Sequence, residues 1–163
     1  MRVLLLPFMT DLNLPDVDLQ TADRDGQPVV YDPVRSKYVR FTPEERVRQV
    51  FLRYLTDVLD VPLGLTAVEQ PVDVNDQTQR ADLVVFDRQG QPLLLVECKA
   101  PNHAIRQETF DQGARYNVVL NAPFLVITNG LEHYACRVDP QTKSVTFLDD
   151  LPDYQTLLDR SRS

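Results

Sequence analysis

Three residues able to do chemistry stand at the ends of two apolar runs in "RADLVVFDRQGQPLLLVECKAP", residues 80–101: Asp82 opens the first run, and Glu97 and Lys99 close the second. In an extended chain side chains alternate, so Glu97 and Lys99 share one face while Cys98 points to the other. With Arg88–Gln91 as the turn and Asp87 facing Pro92, Asp82 falls directly across from Glu97, where Cβ atoms lie about 4.5 to 5.5 Å apart. Two carboxylates at that spacing repel unless a cation sits between them. A hard divalent ion, Mg²⁺ or its substitute Mn²⁺, meets the need through oxygen ligands, here Asp82, Glu97 and the backbone carbonyl of Cys98. The matching chemistry is phosphodiester hydrolysis, in which the ion acidifies water and neutralises charge growing on the phosphoryl oxygens. The adjacent acids favour the charged form of Lys99, so its expected task is to orient water and stabilise charge rather than to act as a base. The same three residues also fit a solvated cross-strand salt bridge with no function, and so loose a pattern does not decide between the two.

The elements that must position these groups are readable around them. "FTPEERVRQVFLRYLTDVLDVP" begins with Thr42 as N-cap, Pro43 at the first helical position and Glu45 three residues on, a capping box. Val47, Val50, Phe51, Tyr54, Leu55, Val58 and Leu59 then recur at helical spacing up to Pro62. Strands are expected at about 67–74, 81–87 and 92–98, a second helix in "AIRQETFDQGARYNVVL", and further strands in "PFLVITNG", "LEHYACRV" and "SVTFL". The order defines an α/β fold, a mixed sheet flanked by helices. Residues 1–30 read as an N-terminal arm whose short apolar pieces leave room for a strand or two, 31–150 as the domain proper, and 151–163 as a C-terminal tail or short helix.

The chain has 163 residues, 43% of them hydrophobic, which suits one folded domain. The opening "MRVLLLPFM" is interrupted by Pro7 and lacks a cleavage pattern, and no apolar run is long enough to span a membrane, so a cytoplasmic protein is expected. Cys98 and Cys136 lie in strand-like runs without metal-type spacing and read as buried free thiols. The formal charge of −7 opposes non-specific coating of nucleic acid. Asp outnumbers Glu 18 to 6 and Arg outnumbers Lys 14 to 3, a bias that fits a surface adapted to a salty cytoplasm or a GC-rich genome. Arg35, Lys37, Arg40, Arg46 and Arg48 cluster closely enough to form a local basic groove.

Taken together, "VVYDPVRSKYVRFTPEERVRQ", "RADLVVFD", "PLLLVECKAP", "FDQGARYN" and "LVITNG" resemble the PD-(D/E)xK phosphodiesterase superfamily over roughly residues 29–138. More closely, they resemble the small proteins related to the N-terminal nuclease domain of the type I restriction enzyme R subunit. The resemblance implies a restriction-endonuclease-like core of order α-β-β-β-α-β and a Mg²⁺-dependent nuclease acting on DNA in defence or repair. It makes Asp82 the metal-binding aspartate, Glu97 the acid of the ExK element and Lys99 the catalytic lysine. Glu44 matches the helical glutamate that some members add to the metal shell, although an acid there also favours the positive helix N-terminus. Gln112 and Tyr116 match a QxxxY element. Four residues apart on one helix face, they either reach the active site or DNA backbone, or form a structural pair against the sheet. Arg80 is either a phosphate contact or a surface arginine, and His103 and His133 read as surface residues rather than ligands. No glycine precedes a lysine, so no phosphate-binding loop is present, a departure from a full restriction subunit. DNA, a second copy of the chain, or a separate targeting or motor subunit are the implied partners. A non-catalytic module that keeps the fold for nucleic-acid or protein binding is the rival reading.

Overall fold

The computed structural model describes residues 11–162, so residues 1–10 of the expected arm lie outside the described residues. A three-stranded antiparallel meander comes first: β1 Thr21–Arg24, β2 Gln27–Asp32 and β3 Lys37–Arg40. Only Val30 and Asp32 are fully buried in these polar segments, which explains why the apolar pattern did not reveal them. The boundary drawn at residue 30 falls within β2.

Helix α1, Pro43–Asp57, starts where expected, with Thr42 Oγ1 accepting the Glu45 amide at 3.0 Å. The Glu45 carboxylate, by contrast, is taken by Arg35 and Arg48, so the helix start serves an ion network as well as a cap. Val47, Phe51, Leu52 and Leu55 face the core, while Val58 lies past the last turn and is 51% exposed.

The main sheet has six strands in chain order: β4 Thr66–Val74, β5 Gln77–Phe86, β6 Pro92–Cys98, β7 Phe124–Thr128, β8 His133–Val138 and β9 Val145–Leu148. All neighbours are antiparallel except β6 and β7, which α2, Gln107–Leu120, joins by a crossover. The restriction-endonuclease-like order α-β-β-β-α-β is therefore present from α1 to β7. The run Leu93–Val96 is at most 1% exposed and buries apolar area on both sides, worth roughly 1.5 to 3 kcal/mol per side chain. Helix α1 and the C-terminal α3, Tyr154–Ser161, cover one face of the sheet, and α2 covers the other. Asp153 caps α3 by accepting the Thr156 amide, and Tyr154 ties this helix to the core through its hydroxyl on the Phe86 carbonyl.

The β5–β6 hairpin differs from expectation at its turn. Phe86, not Asp87, pairs with Pro92 across a bulge, and Asp87 instead caps the loop by accepting the amides of Gln89 and Gln91. The bulge absorbs the difference locally. Leu83 still pairs with Val96, Val84 with Leu95 and Val85 with Leu94, the offset that sets Asp82 across from Glu97.

Candidate active site

The site lies past the carboxyl ends of β6 and β7, the one parallel pair among the described strands, which is where open α/β sheets place their crevices. Asp82 and Glu97 interlock there: the Cys98 amide donates to Asp82 Oδ2 at 2.8 Å, and the Asp82 amide donates to Glu97 Oε1 at 3.3 Å. Glu97 is 2% exposed. Burial first, and the Asp82 charge second, push its carboxyl up to about 9, so without a cation it keeps its proton at neutral pH. The Cys98 thiol packs into the α1 face of the core, where burial and then Asp82 hold it well above the ordinary thiol range. The thiol therefore points away from the two acids, leaving the backbone of Cys98 beside them.

Lys99 leaves the sheet on the α2 side. Its Nζ donates to Gln112 Oε1 at 2.9 Å, and Gln112 Nε2 donates to the Tyr116 hydroxyl at 3.2 Å. Tyr116 is buried in the helix–sheet core, so the pair forms a rod that runs from the interior to the lysine. Gly113 permits this approach, because a Cβ there would meet Ile127 Cδ1 at 3.0 Å and Leu125 Cδ1 at 3.3 Å. Lys99, Gln112, His103, Arg106, Glu108 and Thr109 line a cleft of about 410 Å³ on the Lys99 side of the site.

Glu44, in the first turn of α1, is half-buried beside the same groups. Burial first and Asp82 second raise its carboxyl, while Lys99, Arg48 and His103 oppose the rise. It senses the Asp82 charge without completing a cage: among the described residues no three His, Cys, Asp or Glu side chains converge as metal ligands. The donor set still suits Mg²⁺, which keeps several waters and needs only one or two carboxylates from a protein. Asp82 and Glu97 supply hard oxygens, and a buried Glu97 carboxyl this close to the partly exposed Asp82 is favoured by a proton or a cation between them.

Two residues not anticipated from sequence complete the site. Arg48, 5% exposed, ion-pairs with Glu45 Oε2 at 3.3 Å, Glu69 Oε1 at 3.1 Å and Asp82 Oδ1 at 3.4 Å. Glu69 lies in β4 between the pairs Val68–Leu83 and Gln70–Ala81, hence across from Asp82, with a left-handed φ of 54°. Such a backbone is unusual for a non-glycine residue inside a strand. The clue to Arg48 was its position four residues after Glu44, on the same helix face. Glu69 was signalled only by being the lone acid in the first half of its strand. Arg35 joins the network through Asp32, Glu45 and Glu69. Of the expected basic groove, Arg35 and Arg48 are therefore withdrawn, since acids already hold them. Arg80 is exposed and 3.8 Å from Glu69. His133 is structural, bridging Thr128 Oγ1 and the Asn13 carbonyl, whereas His103 is exposed at the cleft.

Fold and site together define a restriction-endonuclease-like domain. A family model described as type I restriction enzyme R protein N terminus matches residues 43–152, and the chain belongs to this family. A type I restriction enzyme EcoAI endonuclease subunit from Escherichia coli is 32% identical over 94 residues, covering 55% of this chain and 11% of that protein. The chain thus spans about a tenth of that curated relative. A fragment structure described as an HsdR subunit of a type I restriction enzyme from Vibrio vulnificus YJ016 superposes with a TM-score of 0.55 at 20% identity, over 74% of this chain and 25% of that one. A protein from Anabaena variabilis, described as a nuclease belonging to DUF820, gives a TM-score of 0.48 at 11% identity, over 90% and 88% of the two chains.

Proposed function

We propose that this protein is a Mg²⁺-dependent nuclease that hydrolyses DNA phosphodiester bonds, with Mn²⁺ as a substitute ion. The observation that carries the reading is the convergence at one sheet end of the interlocked pair Asp82–Glu97 and of Lys99 fixed by Gln112. Asp82, Glu97 and the Cys98 carbonyl would hold the ion, with Glu44 close enough to contribute charge. Bound there, the ion supplies Lewis acidity, positive charge against the phosphoryl oxygens and acidification of the attacking water. Lys99 presents a cation, oriented by Gln112, to charge that develops as water adds to phosphorus and the bond to the sugar oxygen breaks. The 410 Å³ cleft along α2 is the natural path for the strand, with Gln112, Tyr116 and Arg80 as the expected nucleic-acid-side residues; of these, Tyr116 acts from beneath through Gln112.

The kinship with restriction subunits supports a role in defence or repair inside the cell, with a separate targeting or motor subunit, or a second copy of the chain, as partner. A binding module without catalysis is the second reading, favoured by one observation: among the described residues no three metal-ligating side chains converge. Nicking of plasmid and of labelled single strands, with and without Mg²⁺, separates the two. The nuclease reading expects Mg²⁺-dependent cleavage that Lys99→Ala reduces at least about a hundredfold, the scale for removing one pre-organised charge partner, while metal binding persists. An inert wild type in both Mg²⁺ and Mn²⁺ would favour the module.

A further inference from the structure

Arg48 is a buried cation facing a site that wants another. Glu45, Glu69 and Asp82 stand 3.1 to 3.4 Å from it and Glu44 is nearby, while Asp32 adjoins the set through Arg35 and Glu97 through Asp82; among the described residues Arg35, Arg80 and Lys99 are other cations close to this set. A cluster so rich in acid stays closed only if positive charge lies inside it.

The two sides of Arg48 differ. Behind it Nη1 makes a true hydrogen bond to Glu69 Oε1 at 3.1 Å, and Nε lies 3.3 Å from Glu45 Oε2. In front, Nη2 stands 3.4 Å from Asp82 Oδ1, a charge contact rather than a hydrogen bond. Asp82 Oδ2 is already held by the Cys98 amide, so Oδ1 is the oxygen freer to turn towards an ion. Glu69, with its left-handed backbone, lies across the sheet from Asp82, and its carboxylate meets Arg48.

We propose that Arg48, anchored by Glu69 and Glu45, is a positioning residue that stands in for the divalent cation: it neutralises Asp82 in the metal-free protein and yields Oδ1 when the ion enters. The inference rests on the metal site proposed above. Because Arg48 keeps two acids when it lets go of Asp82, ion binding leaves no orphaned buried charge. Its own charge also opposes the ion, so affinity is held below what the acids alone would give.

The test measures Mn²⁺ binding by the EPR signal of free Mn²⁺, alongside thermal unfolding with and without Mn²⁺, for the wild type, Asp82→Asn, Arg48→Met and Arg48→Lys. Arg48→Met is expected to unfold at lower temperature without metal, to bind Mn²⁺ roughly tenfold tighter, and to recover most of its lost stability when loaded. Arg48→Lys restores the charge and returns the affinity to within about threefold of wild type, a rescue that loss of packing alone would not produce. Should Arg48→Met fail to fold, the Arg48→Met/Glu69→Gln pair removes cation and acid together, and it too should bind Mn²⁺ at least as tightly as wild type. Unchanged or weaker binding in a folded Arg48→Met, with wild type binding and Asp82→Asn not, overturns the stand-in role alone. A wild type that binds no more Mn²⁺ than Asp82→Asn removes the metal site and this inference with it.

Discussion

At the scale of single residues, the site is a balance between protons and cations around Asp82 and Glu97. Raising the Glu97 carboxyl above its unfolded value means that the native state holds a proton which the unfolded chain releases above about pH 4.5. The metal-free protein therefore loses stability as pH rises from about 4.5 towards 9, at up to about 1.4 kcal/mol per pH unit from this one group. Glu44 and Glu45, also raised mainly by burial, add to the slope in the same direction. Asp139 and Asp153 are lowered by backbone amides and act oppositely, below the normal carboxylate range. Urea unfolding at pH 5, 7 and 9 in EDTA should show this decline, and Glu97→Gln should flatten it; an equally steep decline in the variant would mean that Glu97 is not the buried acid. The placement of Asp82, Glu97 and Lys99 was legible in sequence because side-chain alternation and a short turn nearly fix who faces whom. Arg48 and Glu69 were not, because their partners are non-local and Glu69 sits at a left-handed backbone position that no period-two pattern announces.

At the scale of elements, α2 sets the reach of Lys99. Gln112 ties the ammonium to a helix whose position is fixed by Tyr116 below it and by the close contact of Gly113 with β7. Gln112→Leu removes the acceptor for Lys99 while retaining a similar volume. It should cut the cleavage rate about ten- to a hundredfold, as loss of a supporting hydrogen bond commonly does, with Mn²⁺ affinity unchanged. Tyr116→Phe should do less, since Gln112 still holds the lysine; a larger loss in Tyr116→Phe than in Gln112→Leu would contradict this order. Helix α1 carries its own test. Thr42→Ala removes the cap that accepts the Glu45 amide and should cost about 1 kcal/mol, seen as a fall of about 2 to 4 °C in Tm. Both helices were readable from 3.6-residue spacing, because each buries a stripe of the large apolar side chains that the pattern detects. The β1–β3 meander was readable only as a strand or two in the arm, without bounds or pairing, since its strands are short and polar and bury little.

At the scale of the whole molecule, acid excess and buried ion pairs act differently. The −7 charge is spread over an Asp-rich surface, and its repulsion is screened by salt. The Arg35–Arg48 network is largely shielded from solvent and is screened much less. Stability measured by urea unfolding should therefore rise between about 0.1 and 1 M KCl; a fall would show that exposed ion pairs outweigh the surface repulsion. The expected basic groove loses Arg35 and Arg48 for a related reason. A run of arginines in sequence says nothing about acids brought in from β2, β4 and β5, and here those acids claim Arg35 and Arg48 before any phosphate could. The mixed sheet itself was legible because its central strands are continuous apolar runs separated by turn residues.

The central claim is that Asp82 and Glu97 jointly hold a divalent ion within reach of Lys99. Crystals soaked in Mn²⁺ and measured at the manganese edge test it most directly. The account predicts an anomalous peak bridging the two carboxylates, with Arg48 withdrawn from Asp82 and no peak in Asp82→Asn. A soaked crystal with no peak between these acids, from protein that cleaves DNA in Mn²⁺, would contradict it.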